Sequence, residues 1–198
     1  GLCWLGSVYC CFKIIMKQFL NKSSPFADWL EKELLCVSDV VKSTLKNDSD
    51  SVNLLCEHVL GYTGKMLRPS LLLMSWRAVD KKEVSCIQNI RRAAAVVELI
   101  HLATLVHDDV LDEASLRRGG HTVSFLKGNE MAVMLGDYLL SSAYHLCSII
   151  KKTELNLLLG EITTTVCSGE ISQLANRDNL LLSVEEYYEI IKNKTAVL

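Results

Sequence analysis

Proline is scarce in this sequence, two residues in 198, and glycine contributes only ten. So few backbone breakers exclude a loop-rich or collagen-like chain. No run shows sustained alternation of apolar and polar residues, which leaves no half-buried strand from which to build a sheet. Net charge is lacking too: 21 Lys and Arg against 23 Asp and Glu leave −2. Nucleic-acid binding rests on clustered cations that neutralise phosphates, so no nucleic-acid partner is expected and any basic residues that matter act locally. Internal repeats, low-complexity tracts and linkers are absent. A transmembrane segment is also missing: the opening GLCWLGSVYCCFKII is interrupted at Lys13, short of the roughly 20 apolar residues that span a bilayer. It has no basic segment ahead of it, as a secretory signal would.

The eight cysteines (Cys3, Cys10, Cys11, Cys36, Cys56, Cys86, Cys147 and Cys167) show no CxxC spacing. They read as small core residues in a reduced compartment, and the expected location is cytoplasmic. The sequons at Asn21, Asn47 and Asn193 are then incidental. The chain begins with Gly, and Met16 precedes the polar stretch KQFLNKSS. Met16 is read as the natural start, residues 1–15 as a non-native or extension segment, and residues 16–198 as one domain.

What the sequence does have is apolar residues, 49% of the chain, recurring at helical spacing nearly everywhere. The pattern predicts helices over 25–46, 51–60, 69–80, 85–113, 129–150, 154–177 and 183–198, an all-α fold. Pro69 suits the first turn of a helix, where its missing N–H costs nothing. Ser183 and Glu186 form a capping box.

The stretch HLATLVHDDVLDEASLRRGG, residues 101 to 120, concentrates the charge chemistry. On a helix, Asp108 and Asp112 project from one face a turn apart, about 5.4 Å along the axis. Two like charges so placed repel unless a cation lies between them, and oxygen-only ligands suit a hard ion such as Mg²⁺. His101 lies two turns earlier and faces nearly the same way. A solvated helix end is the ordinary fate of such a pair. Here the preceding AAAVVELIHLATLV is too apolar for a surface helix, and charge at the end of a buried element needs a partner or a metal. An EF-hand is excluded, because DDVLDEASLRRG lacks alternating oxygen ligands and a central Gly. Neither His101 nor His107 belongs to a zinc-binding pattern.

GKMLRP, residues 64 to 69, resembles a phosphate loop, but Met66 stands where a P-loop needs Ser or Thr. Lys65 and Arg68 still place two cations at a turn before a helix start, which suits an anion. Arg117 and Arg118 have two readings: cations in the last turn of a helix, stopped by Gly119 and Gly120, or ligands for phosphate. Taken together, the carboxylate pair and the two cation pairs describe a site for two diphosphates.

Gly64-Lys65-x-x-Arg68-Pro69, Glu98-Leu-Ile-His101, Asp108-Asp109-x-x-Asp112 and Arg117-Arg118-Gly119, in this order and spacing, resemble the all-trans isoprenyl diphosphate synthases. Within that family the resemblance is greatest to the long-chain polyprenyl diphosphate synthases. Gly136-Asp137, GEISQL at 169 to 174 and Lys194-Thr195-Ala196 are similar to later landmarks of the family, so the resemblance runs from about residue 26 to Leu198. It implies an isoprenoid-synthase-type helical bundle around a central cavity, working as a homodimer. It implies a prenyltransferase that condenses isopentenyl diphosphate with an allylic diphosphate to give a long trans-polyprenyl diphosphate.

Asp108 and Asp112, aided by Asp109, would hold Mg²⁺ on the allylic diphosphate, with Arg117 beside it. Lys65, Arg68, His101 and Arg118 would hold the diphosphate of isopentenyl diphosphate. Lys194, Thr195 and Gln173 would contact the allylic diphosphate or the reacting carbons. Ala103 and Thr104 would set product length, their small side chains leaving a deep tunnel. The family also carries a second aspartate-rich motif. None precedes Leu198, so the chain is expected to be the amino-terminal portion of the domain, carboxy-terminally incomplete and inactive alone. The alternatives are a shorter-chain farnesyl or geranylgeranyl diphosphate synthase, or a non-catalytic partner subunit of a heteromeric synthase. A class I terpene cyclase, which binds one diphosphate, would need neither GKMLRP nor the RRG pair.

Overall fold

The computed structural model describes residues 24–62, 64–79 and 86–198. The expected start at Met16, the segment 1–15, Asn21 and Cys3, Cys10 and Cys11 lie outside the described residues.

Helix α1 (Pro25–Leu45) starts at Ser24, whose hydroxyl accepts the Ala27 N–H, with Pro25 in the first turn. Its buried Leu30, Glu33, Val37, Val41 and Leu45 recur at three- and four-residue steps and so form one face. Helices α2 (Asp50–Leu60) and α3 (Leu67–Val79) follow. Then comes α4 (Ile87–Leu111), the spine of the molecule. It packs most extensively on α6 (Asn129–Ile149), with α1 and α3 against its other sides. Ala94, Ala95 and Ala103 on α4, and Ala132 and Ala143 on α6, are fully buried and let these helices approach closely. Glu33 on α1 is tied to Arg91 on α4 by Nε–Oε2 and Nη2–Oε1 bonds of 2.7 and 2.9 Å, the two-pronged geometry in which a half-buried ion pair is worth most.

Helix α7 (Thr153–Ala175) packs on α6, and α8 (Val184–Ile191) opens on the expected Ser183–Glu186 capping box. The described cysteines are free thiols, and burial pushes the Cys56 thiol up to about 11. Among the described residues, no helix is long and apolar enough to cross a membrane.

Three details depart from the sequence reading. Helix α4 ends at Leu111, because Glu113 enters the left-handed region at φ 49°. Arg117 and Arg118 are therefore not in a helix terminus. Leu116–Arg117 (β1) pairs antiparallel with Gly120–His121 (β2), and the turn residues Arg118 and Gly119 both have positive φ, 50° and 85°, as a tight two-residue hairpin requires. A short helix α5 (Val123–Lys127), capped by Thr122, then leads to α6. Finally, the helix expected over 183–198 changes form: after Ile191 the chain widens into a π-helical turn, Lys192–Ala196.

Candidate active site

Along α4 the residues Val97, His101, Thr104 and Asp108 stay half-open while their neighbours Leu99, Leu102, Ala103 and Val106 are buried. Spacings of three and four place that open stripe on one face of the helix. Thr104 donates its hydroxyl to the His101 carbonyl at 2.8 Å. Ala103, expected to share the work of setting product length, is packed into the core instead.

At the end of the stripe, burial pushes the Asp108 carboxyl above the ordinary aspartate value; Glu170 and Asp112 add to the rise, and Lys194 and Arg117 oppose it. Lys194 and Glu170 lie on other elements, and their own contact is short, 2.6 Å from Nζ to Oε2. Gln173 donates to the other Glu170 oxygen at 3.4 Å. Gly169 makes this juxtaposition possible: a Cβ there would stand 2.5 Å from the Lys194 backbone nitrogen, far inside van der Waals contact. The π-helical turn thus crosses α7 backbone to backbone, and Lys194 reaches Glu170. Thr195, on the same turn, is exposed. Asp112 caps the end of α4, where its N–H donates to the Asp108 carbonyl at 2.8 Å. Its carboxylate lies 3.6 Å from Arg177 at the foot of α7. Glu170 and Arg177 were not singled out from the sequence, since their partners are far away along the chain. The GEISQL stretch was the only signal for Glu170.

A second cluster surrounds Glu98, which is buried nearly three turns before Asp108. Burial raises its carboxyl, with Arg68 and Arg118 holding it down. Burial likewise lowers Arg68, opposed by Glu98. His101 is lowered to about 4 by burial first and then by Arg68, Arg118 and Arg117. It is a neutral imidazole at physiological pH. Arg118 donates to the Tyr62 carbonyl, and its guanidinium occupies the space that a Cβ on Gly64 would fill, 2.6 Å from Nη1. The glycine before Lys65 therefore serves the close approach of Arg118. The structure thus brings Arg68, His101, Arg117 and Arg118 together, with Lys65 on the adjoining segment.

Asp109, expected beside the metal-binding acids, is 2% exposed and bonded to Arg117. His107 lies 3.4 Å from Asp137, its ring filling the slot left by Gly136.

The donors offered by Asp108 and Asp112 are carboxylate oxygens; burial first, and then the neighbouring Glu170 and Asp112, raise Asp108, and a divalent cation would offset both. Among the described residues no three His, Cys, Asp or Glu side chains converge into a closed cage. That donor set fits a hard cation that completes its shell with water and substrate oxygens.

The chain is similar to known proteins of one family. The model of the family described as polyprenyl synthetase matches residues 49–198. Heptaprenyl diphosphate synthase component 2 of Bacillus subtilis is 33% identical over 180 residues, covering 91% of this chain and 48% of that protein. Octaprenyl diphosphate synthase of Escherichia coli is 29% identical over 167 residues, 84% of this chain and 50% of that protein. The crystal structure of a polyprenyl synthase from Caulobacter crescentus, complexed with calcium and isoprenyl diphosphate, superposes with a TM-score of 0.80 at 30% identity, covering 86% of this chain and 51% of that one. The chain spans about half the length of the curated relatives it matches.

Proposed function

The chain belongs to the polyprenyl synthetase family, and from that premise we propose that it carries one side of the active site of a trans-prenyltransferase. The substrates are isopentenyl diphosphate and an allylic diphosphate, and the product is a polyprenyl diphosphate. One observation carries this reading: α4 holds two charge clusters of different make. Carboxylates with Lys194 gather at Asp108, and arginines gather at His101 and Glu98, Arg68 and Arg117 half-buried and Arg118 exposed. Seven residues of helix separate Asp108 from His101, about 10 Å, which is room for two diphosphate groups side by side.

Asp108 and Asp112 are the residues that would hold Mg²⁺. Bound there, the ion would neutralise charge on the departing diphosphate. Arg117 and Lys194 aim fixed positive charge at the same leaving group. Lys65, Arg68 and Arg118 hold the other diphosphate, with His101 as a neutral hydrogen-bond donor, and keep its double bond facing the allylic carbon. Gln173 and Thr195 border the reacting carbons. The allylic C–O bond breaks, and the electron pair leaves with diphosphate. The double bond of isopentenyl diphosphate then attacks the allylic cation, and loss of a proton restores a double bond. Apolar walls from α4 keep water from the cation. Thr104, on the open stripe, and Ala103 behind it are small and favour a long product. Assembly as a homodimer belongs to this proposal.

A second reading rests on the name of one relative, a synthase component 2: the chain would serve as a subunit of a heteromeric synthase.

The test is incorporation of labelled isopentenyl diphosphate onto farnesyl diphosphate with Mg²⁺, followed by sizing of the product. It is run on this chain alone, and on this chain joined to whatever sequence continues it. Asp108→Ala abolishes turnover while the helical signal is kept, and Lys65→Ala raises the KM for isopentenyl diphosphate. Retained turnover in Asp108→Ala, or a selective loss of allylic affinity in Lys65→Ala, would overturn the assignment.

A further inference from the structure

Of the three acids in the cluster, Asp109 has different surroundings. Its side chain is 2% exposed, whereas that of Asp112 is 55% exposed. Arg117 Nε donates to Asp109 Oδ1 at 2.8 Å, and Arg117 Nη2 lies 2.7 Å from the same oxygen. The other oxygen, Oδ2, is buried without a hydrogen bond. A buried carboxylate that keeps few partners holds the one it has firmly. Arg117 is thus the side-chain partner that Asp109 has from within the helix end.

Arg117 has little else to hold it. It sits on a hairpin whose strands are two residues each, Leu116–Arg117 and Gly120–His121. Yet its charge acts on Asp108 and on His101, one in each cluster. Both contacts to Asp109 use the Nε side of the guanidinium, which leaves the end-on edge turned away from Asp109. An arginine held from one side presents a fixed pair of N–H groups from the other, the geometry that suits a phosphate.

We propose that Asp109 is a positioning residue rather than a metal ligand: from inside the helix end it fixes Arg117 between the two clusters, so that the guanidinium meets a diphosphate without first being ordered. This inference rests on the two-diphosphate reading above and assigns the middle aspartate a separate task within it.

The test uses binding rather than turnover. Mn²⁺ affinity is read by electron paramagnetic resonance, and inorganic diphosphate affinity by calorimetry, on the complete protein. The proteins compared are the wild type, Asp108→Asn, Asp109→Asn, Arg117→Lys and the Asp109→Asn/Arg117→Lys pair. Asp109→Asn keeps the wild-type Mn²⁺ affinity, which Asp108→Asn loses. Asp109→Asn and Arg117→Lys each weaken diphosphate binding about tenfold, the size of one charge-assisted hydrogen bond. The pair is no weaker than Arg117→Lys alone, as expected for residues acting as a unit. Loss of Mn²⁺ affinity in Asp109→Asn, or full addition of the two effects on diphosphate, overturns the proposal. Should Asp109→Asn fail to fold, the double variant Asp109→Asn/Arg117→Gln removes both charges together and serves the same Mn²⁺ comparison, with the same outcomes. A wild-type protein that binds neither Mn²⁺ nor diphosphate overturns the two-diphosphate reading itself, and this inference with it.

Discussion

Half-buried beside Arg68, Arg118 and Arg117, the His101 imidazole is lowered from its usual 6.5 to about 4. In the unfolded chain the ring takes up its proton as pH falls through 6.5, and the folded protein does not follow until about 4. Stability linked to His101 is therefore full above 6.5 and lost as pH falls toward 4. The loss reaches on the order of 2 kcal/mol by pH 5. His101→Asn should remove that component: the difference in unfolding free energy between wild type and variant should narrow by that amount between pH 7 and 5 in denaturant titrations. A constant difference would mean that the ring is not held neutral. Binding inorganic diphosphate reverses the sign of the local field, and the imidazole resonances should then titrate above 4. Much at this scale was legible in the sequence, because His101 and Asp108 lie on one helix and Asp112 caps its end, so that spacing places them near one another. The different environment of Asp109 was not legible. Adjacent residues on a helix point about 100° apart, but which of two directions is buried depends on what packs there. Ala103 and Thr104 are alike in the sequence for the same reason, and packing separates them.

Helices were the readable elements. The helices expected before residue 183 were all present with ends displaced by at most two residues, and the last, expected over 183–198, kept its α form only to Ile191; a continuous apolar stripe is a local property that burial then rewards. The hairpin holding Arg117 and Arg118 escaped notice, since two-residue strands have no period to detect. The π-helical turn at Lys192–Ala196 also escaped, and its cause is tertiary: the chain must pass within contact of Gly169 on α7. Widened turns of this kind recur at functional sites because they re-aim side chains. Here the re-aimed side chain is Lys194. Gly169→Ala tests the crossing. A methyl group 2.5 Å from the Lys194 nitrogen cannot be accommodated by a rotamer change, since the atoms in the way are backbone. The turn must move off α7 and take Lys194 away from Glu170. Helix propensity by itself favours Ala over Gly by about 1 kcal/mol, so a gain in stability with unchanged diphosphate affinity would show that the crossing does not matter. The expected result is the reverse: weaker diphosphate binding, with Gly169→Ser no better than Gly169→Ala.

For the whole molecule, the distribution of apolar surface is informative. The core around α4 is tightly closed, with Leu73, Leu99 and Leu139 fully inaccessible. Around α8 the reverse holds: Leu180 and Leu181 are 98% and 92% exposed, and Val184, Tyr187 and Tyr188 are exposed beside them in the sequence. Single exposed apolar residues are ordinary, but a run of them on one segment is more than a monomeric surface tolerates without consequence. The same region leads into the turn that carries Lys194, so whatever covers it also borders the Asp108 cluster. The chain spans about half the length of its relatives, and either further polypeptide or a second copy can supply such cover. For the chain alone only the second is available. It should associate as its concentration rises, with light scattering reporting a mass above 22.1 kDa, and it should bind an apolar dye until it does. Leu180→Ser/Leu181→Ser should reduce both signals and leave the helical content unchanged, because neither side chain contributes to the core. A chain that stays monomeric and dye-free at high concentration would show that this surface is stable in water, and that nothing need pack against it for the Lys194 turn to hold its place.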